Sequence, residues 1–159
     1  MSIKFAQKFL EKIVLHKIVE CRYWKEHCFG LDTKTLLEKA MELDHIGGTY
    51  GGIRKPTNFL CLVTKMIELK IPKEITVEFI RNEDFKYVRA LGAFYYRLIG
   101  EPIDIYIELE KLYSDFRRLK KLTDNGYSLI YVDEFIDELL HSESSCDTSL
   151  PRIPKRIRI

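Results

Sequence analysis

Apolar residues recur at intervals of three and four along almost the whole chain, and that spacing confines it to amphipathic helices packed on one another. The clearest run joins Ile105, Tyr106, Leu109, Leu112, Tyr113, Phe116 and Leu119, behind a proline, Pro102, suited to the first position of a helix. A second run, Ile3, Ala6, Phe9, Leu10, Ile13 and Val14, predicts one N-terminal helix continuing to about Tyr23-Trp24. Gly30 stops it, and Asp32 or Thr33 caps the next, whose stripe is Leu36, Leu37, Ala40, Met41 and Leu43. Pro56-Thr57 opens a helix with Phe59, Leu62, Val63, Met66 and Ile67, and Pro72 enforces a break before a short helix to about Arg81. Polar residues 82–84 precede Phe85, Val88, Leu91, Gly92, Tyr95 and Leu98, and a last helix covers Asp133 to Leu140. Its first turn is acidic and His141 lies at its end, as the helix dipole favours.

Seven such segments with short connections imply an all-α fold, a single compact helical bundle of mixed topology over residues 1–159. The exception is Asp124-Asn125-Gly126, a tight-turn signal that predicts one small hairpin near residues 121–132 as the only strand structure. A chain of 159 residues buries about 70% of its unfolded surface, enough for a core without disulfide staples. Its longest apolar runs are far below the roughly 20 residues of a membrane span, and its first residues mix charge with apolar side chains, unlike a secretory signal. The expectation is a soluble protein of the cytosolic or nuclear side.

Charge is unevenly distributed although the net value is only +2. Val132 to Asp147 holds six acidic residues and no Lys or Arg, whereas the tail 150–159 carries Arg152, Lys155, Arg156 and Arg158. Opposite patches of this kind can serve two partners or simply face water.

Each candidate for chemistry has a stronger structural reading. Half of the eight glycines fall in Gly47-Gly48-Thr49-Tyr50-Gly51-Gly52, but Ile53-Arg54 stands where a phosphate-binding loop needs Lys and Ser/Thr, and no strand precedes it. Sequence leaves open whether that loop is ordered. Cys21, His27 and Cys28 lack a second ligand pair, so Cys21 and Cys28 read as core thiols, with Cys61 and Cys146. His16, His45 and His141 read as surface or capping residues. Carboxylate pairs Glu83-Asp84, Asp133-Glu134 and Asp137-Glu138 sit where helix starts favour acid; Asp133 with Asp137 and Glu134 with Glu138 also lie one turn apart, a repulsion that a basic partner would relieve. Arg81, Lys86, Arg89, Arg97, Arg117-Arg118 and Lys120-Lys121 could face phosphate but read first as solvated faces, so RNA binding is the minority reading. No catalytic residue, metal ligand or cofactor site is assigned.

Six blocks in order make the chain resemble the pre-mRNA-splicing factor 38 family: YWKEHCFGL at 23–31, KAMEL at 39–43, GGTYGG at 47–52, KPTNFLCL at 55–62, VEFIRNEDFKYVRALGAFYYRL at 77–98 and VDEFIDELLHSE at 132–143. The resemblance implies an all-helical, non-enzymatic scaffold of the spliceosome, in the tri-snRNP or precatalytic complex, needed for activation and located in the nucleus. It implies partners that include a small zinc-finger tri-snRNP protein and a microfibrillar-associated-type splicing protein, with RNA contact conceivable inside the assembly. Candidate protein-binding residues are Tyr50, Arg54 and Lys55 by the glycine loop; Glu83, Asp84, Lys86 and Tyr87; and the acidic helix residues Asp133, Glu134, Asp137 and Glu138.

Overall fold

In the helix Lys86–Ile99 every residue from Val88 to Leu98 is buried, and the other elements close around it. The computed structural model describes residues 6–157. In chain order the helices are α1 (Lys12–Glu20), α2 (Thr33–Met41), α3 (Asn58–Leu69), α4 (Lys73–Ile80), α5 (Lys86–Ile99), α6 (Pro102–Glu110) and α7 (Val132–His141). A π-helical turn, Trp24–Cys28, follows α1, and a 3-10 turn, Lys111–Ser114, follows α6.

Helices α4 and α5 approach backbone to backbone at Gly92, where a Cβ would stand 2.6 Å from Phe79 Cβ and 3.0 Å from the Ile80 nitrogen. Only the absence of a side chain permits that approach. On another side, the Phe94 ring meets Phe59 of α3 edge-on, centroids 5.6 Å apart, and stacks near-parallel to Phe135 of α7 at 6.5 Å. Residues of all these helices join one buried apolar cluster, including Ile18, Leu36, Leu62, Phe79, Leu91, Leu109 and Leu139.

Local chemistry sets the helix starts. Asp32 and Thr35 cap α2 reciprocally, each side chain accepting the other's backbone N–H at 2.8 and 2.9 Å. Thr57 accepts from the Leu60 N–H at the head of α3 and donates its hydroxyl to the Gly47 carbonyl at 2.7 Å, so one residue caps the helix and pins the glycine loop.

The fold is mostly helical, but the all-α expectation needs correcting. Among the described residues are three antiparallel strand pairs: β1 (Thr49–Tyr50) with β2 (Lys55–Pro56), β3 (Arg118–Thr123) with β4 (Gly126–Tyr131), and β5 (Ser144–Ser145) with β6 (Thr148–Ser149). The expected hairpin is β3–β4, beginning slightly earlier than residue 121, and it is not the only strand structure. Ile46 also joins β3, donating to the Lys120 carbonyl at 2.8 Å and accepting from the Leu122 N–H at 2.9 Å. Short pairs of this kind follow from close backbone approach, for which side-chain periodicity gives no sign.

Two helices are also shorter than their apolar patterns. The run expected over 102–119 leaves α-helix after Glu110, because Asp115 turns extended and its carboxylate is held inside by two arginines. Leu119 therefore enters the core from a strand, while Phe116 is 67% exposed. The single N-terminal helix is broken by extended backbone at Glu11 and Cys21, which lets Ala6 and Leu10 reach the core and turns Ile13 outward. Ile3 lies outside the described residues, as does Arg158.

The contact at Gly92 yields a stability test. Gly92→Ala should cost about 1–3 kcal/mol in urea unfolding through overpacking, whereas Gly52→Ala, with nothing within 4 Å of the added carbon, should change stability by less than about 0.5 kcal/mol.

Candidate functional site

The sequence-predicted residues fall into three groups, and a buried ionic node determines how two of them are placed. Asp115 is buried and accepts from Arg89 Nη1 at 2.8 Å and from Arg117 Nη2 at 2.7 Å. Arg89 also donates through Nε to the Ile80 carbonyl at 2.9 Å, satisfying the C-terminal end of α4. Arg117 reaches in the other direction, donating Nη1 to the Glu83 carbonyl at 2.7 Å. The Asp115 carbonyl accepts from the Asp133 N–H at 3.0 Å, fixing the start of α7. Burial opposes ionisation of Asp115, but the hydrogen bonds from Arg117 and Arg89 outweigh it and hold the carboxyl well below the usual carboxylate range. The turn holding Glu83 and Asp84 and the acidic helix holding Asp133 thus flank one rigid node.

Within that first group Glu83 and Asp84 are exposed, and Lys86 lies with its ammonium 5.5 Å from the Tyr87 ring. Tyr87 is committed internally: its hydroxyl accepts the Lys120 N–H at 2.8 Å and anchors β3. On α7, Asp137 is exposed and accepts from the Tyr113 hydroxyl at 3.0 Å, while Glu134 accepts from the Tyr131 N–H at 3.1 Å. Glu138 departs from the outward face expected of it. It accepts from the Ser145 hydroxyl at 3.0 Å and lies 3.8 Å from Lys121, partly covered. His141, by contrast, donates from Nδ1 to the Asp137 carbonyl at 3.2 Å, as a helix-end residue should.

The glycine loop, left open by sequence, is ordered and closely packed. A Cβ on Gly48 would fall 2.1 Å from the Cys146 carbonyl oxygen. Thr49 directs its N–H and hydroxyl to the Asp147 carboxylate at 2.8 and 2.9 Å. A carboxylate of the chain itself thus fills the role a phosphate would need, and Tyr50 and Lys55 pair across β1 and β2 on either side of a tight turn, 51–54, that contains Arg54. Arg54 takes the left-handed conformation, φ 54°, and Arg54 and Lys55 are exposed. Gly48 and Thr49 of the loop line one cavity with Glu138 of α7, whereas Tyr50, Arg54 and Lys55 lie outside it.

Other readings change once side chains are placed. Half of the eight-residue basic patch is taken up in ion pairs: Arg81 with Glu108 at 2.8 Å, Arg89 and Arg117 with Asp115, and Lys121 near Glu138, while Arg97 is buried. Cys21 is half-buried beside Cys61, sulfurs 3.6 Å apart, and not beside His27. A hydrogen bond from Cys61 lowers the Cys21 thiol below its ordinary range, and burial pushes Cys28 up to about 12. His45, expected at the surface, is buried with Nδ1 2.8 Å from Asp44, because residues 43–49 thread inward to reach β3. Among the described residues no group of three His, Cys, Asp or Glu gathers at metal-binding distance, and no helix is long and apolar enough to cross a membrane.

Sequence reasoning missed the outward face of the hairpin. Tyr127, Leu129 and Tyr131 of β4 are exposed, opposite Leu122, Lys120 and Arg118 of β3, and Lys120 lies 5.2 Å from the Tyr127 ring. Alternation at 127, 129 and 131 was the available signal, read there only as a strand. Tyrosine and arginine, here Tyr127, Tyr131 and Arg118, are enriched in protein interfaces.

Comparison with known proteins places this architecture. The PRP38 family model matches residues 4–159. Pre-mRNA-splicing factor 38 of Arabidopsis thaliana is 57% identical over 94% of this chain and 42% of its own length. Pre-mRNA-splicing factor 38A of Homo sapiens is 57% identical over 94% of this chain and 48% of its own length. The chain therefore spans about half the length of the curated relatives it matches. Among solved structures, a chain in the crystal structure of the Snu23-Prp38-MFAP1(217-258) complex of Chaetomium thermophilum superposes with a TM-score of 0.90 at 39% identity, covering 95% of this chain and 79% of that one.

The ionic node gives a pH-dependent expectation. Unfolded Asp titrates near ~3.9 and folded Asp115 lower, so its stabilisation is fully present above that value and is lost as pH falls through the folded-state pKa. Asp115→Asn should destabilise by about 3 kcal/mol at neutral pH, leaving two arginines without their carboxylate. Measured by urea unfolding, the gap from the unsubstituted chain should narrow progressively below pH ~4.

Proposed function

The chain belongs to the PRP38 family, and from that premise we propose that it is a non-catalytic component of the spliceosome that works as a protein-interaction scaffold in the nucleus. It folds as one domain, enters the tri-snRNP or precatalytic complex, and contributes to spliceosome activation by holding other polypeptides. Its partners are counterparts of the two proteins named with Prp38 in the solved complex: Snu23, of the zinc-finger type, and MFAP1, of the microfibrillar-associated type. The observation that supports this most is the likeness, at 39% identity and a TM-score of 0.90, to a chain crystallised in a complex with such polypeptides.

The geometry supports the same reading. A rigid core presents three kinds of outward chemistry: the acidic face of α7 at Asp133, Glu134 and Asp137, the turn at Glu83, Asp84 and Lys86, and the β1–β2 turn at Tyr50, Arg54 and Lys55. Tyr87 and Glu138 shape these surfaces from within. Exposed aromatic residues on β4 add apolar anchors of the sort that supply most interface energy, with charge setting orientation and association rate. Direct RNA binding is the weaker reading, since half of the eight arginines and lysines proposed for it already have carboxylate partners and Arg97 is buried.

Affinity purification of the chain from nuclear extract, with nuclease treatment, tests the function. Splicing proteins should co-purify after RNA is destroyed; their loss on nuclease treatment would favour the RNA reading. Asp133→Lys combined with Asp137→Lys should weaken a basic partner's binding about tenfold, or about 1.4 kcal/mol, with helix content unchanged by circular dichroism. Undiminished binding would remove α7 from the interface.

A further inference from the structure

Two arginines of α5 are buried, and among the described residues only one has a carboxylate partner. Arg89 has Asp115. Arg97, 3% exposed, donates Nε to the Leu139 carbonyl at 2.6 Å, and its Nη1 is buried with no hydrogen-bond partner. A guanidinium presents five donors in a planar fork suited to bidentate contact with a carboxylate. Burying one without an anion costs stability that a polar neighbour only partly offsets.

Arg97 lines a cavity of about 530 Å³ between the end of α7 and the segment after β6. Arg152, exposed, stands on its rim with His141 and Ser142, and Glu143 is the one acidic residue lining it. The remaining wall is apolar: Leu140 and Leu150, both buried, and Ile153.

We propose that this cavity is a docking site for a single acidic side chain, Asp or Glu, carried on an otherwise apolar segment of a partner polypeptide. Charge complementarity selects the occupant. Two arginines against one glutamate leave room for one negative charge, and the carbonyl-bearing end of α7 opposes more. A nucleic-acid backbone, with a charge on every nucleotide, needs a continuous basic track, whereas here the part-exposed wall beside the arginines is Pro151 and Ile153. A carboxylate would complete the Arg97 fork much as Asp115 completes that of Arg89, and apolar neighbours of the acidic residue would lie against Pro151 and Ile153 and exclude water, strengthening the ion pair.

The inference rests on the scaffold reading only in taking a polypeptide as carrier of the carboxylate. Its test uses the isolated chain, so failure here leaves the co-purification result standing, and failure there leaves this result standing. The ¹⁵N-labelled chain is titrated with N-acetyl-Leu-Glu-Leu-amide, with its Gln counterpart and with a short oligouridylate, at constant ionic strength, following the Arg97 side-chain Nε–H signal and the amides of His141 and Ser142. The Glu peptide should give saturable shifts confined to the cavity, with the Gln peptide and the oligouridylate at least about tenfold weaker. Arg152→Gln, on the rim where folding is not at stake, should weaken the Glu peptide about threefold or more. Arg97→Gln should abolish the shifts at His141 and Ser142 if its spectrum stays folded. Equal binding of the Glu and Gln peptides, tighter binding of the oligouridylate, or no saturable shift with the Glu peptide would each overturn the proposal.

Discussion

Arg89 and Arg97 are charged side chains on a helix buried around its whole circumference, and much of the fold is arranged to answer them. A guanidinium cannot be neutralised in a protein, so it must be met by carbonyls and carboxylates where it stands. Arg89 is met by the Ile80 carbonyl and by Asp115. Asp115 in turn draws in Arg117, and through the backbone the same short segment holds Asp133 and Glu83. One buried charge thereby joins the end of α4, the exit from α6, the start of β3 and the start of α7. Arg97 does the same at the other end of α7 through Leu139.

This arrangement explains how a helical core can serve as a platform. The apolar cluster supplies most of the folding free energy without direction, while the ionic node gives direction, fixing which way α7 and the hairpin face. Both elements carry outward chemistry of a kind that proteins recognise, acidic on one and aromatic with basic on the other. A platform of this sort loses little entropy on binding because its surface is already ordered. Its partners, not the scaffold, would bear the cost of folding.

Much of the helical framework was legible from apolar spacing and capping residues. Asp32, Thr57 and Pro102 mark helix starts where the structure has them, because capping is a local interaction visible in a few adjacent residues. What was hidden depends on contacts distant in sequence. The pattern Leu112, Phe116, Leu119 continues at helical spacing, yet Asp115 is pulled into extended backbone by Arg89, 26 positions earlier. The two small strand pairs at 49–56 and 144–149 arise because Thr49 reaches Asp147, 98 positions away. Of the site, the acidic face at Asp133 and Asp137 was legible, since i and i+4 spacing places them together. Glu138 and Tyr87 were not, because each has a distant partner, Ser145 or Lys121 for one and Lys120 for the other. The burial of Arg97 was hidden too, since nothing nearby in sequence distinguishes it from a solvated charge.

Amide hydrogen exchange of the free chain bears most directly on the claim that a preformed core organised by α5 presents these surfaces. The α5 amides from Val88 to Leu98 should exchange only through global unfolding, at the slowest rates in the molecule and with a free energy matching that from denaturant unfolding. Exchange of α5 through local opening, faster than that of α1 or the β3–β4 hairpin, would contradict it.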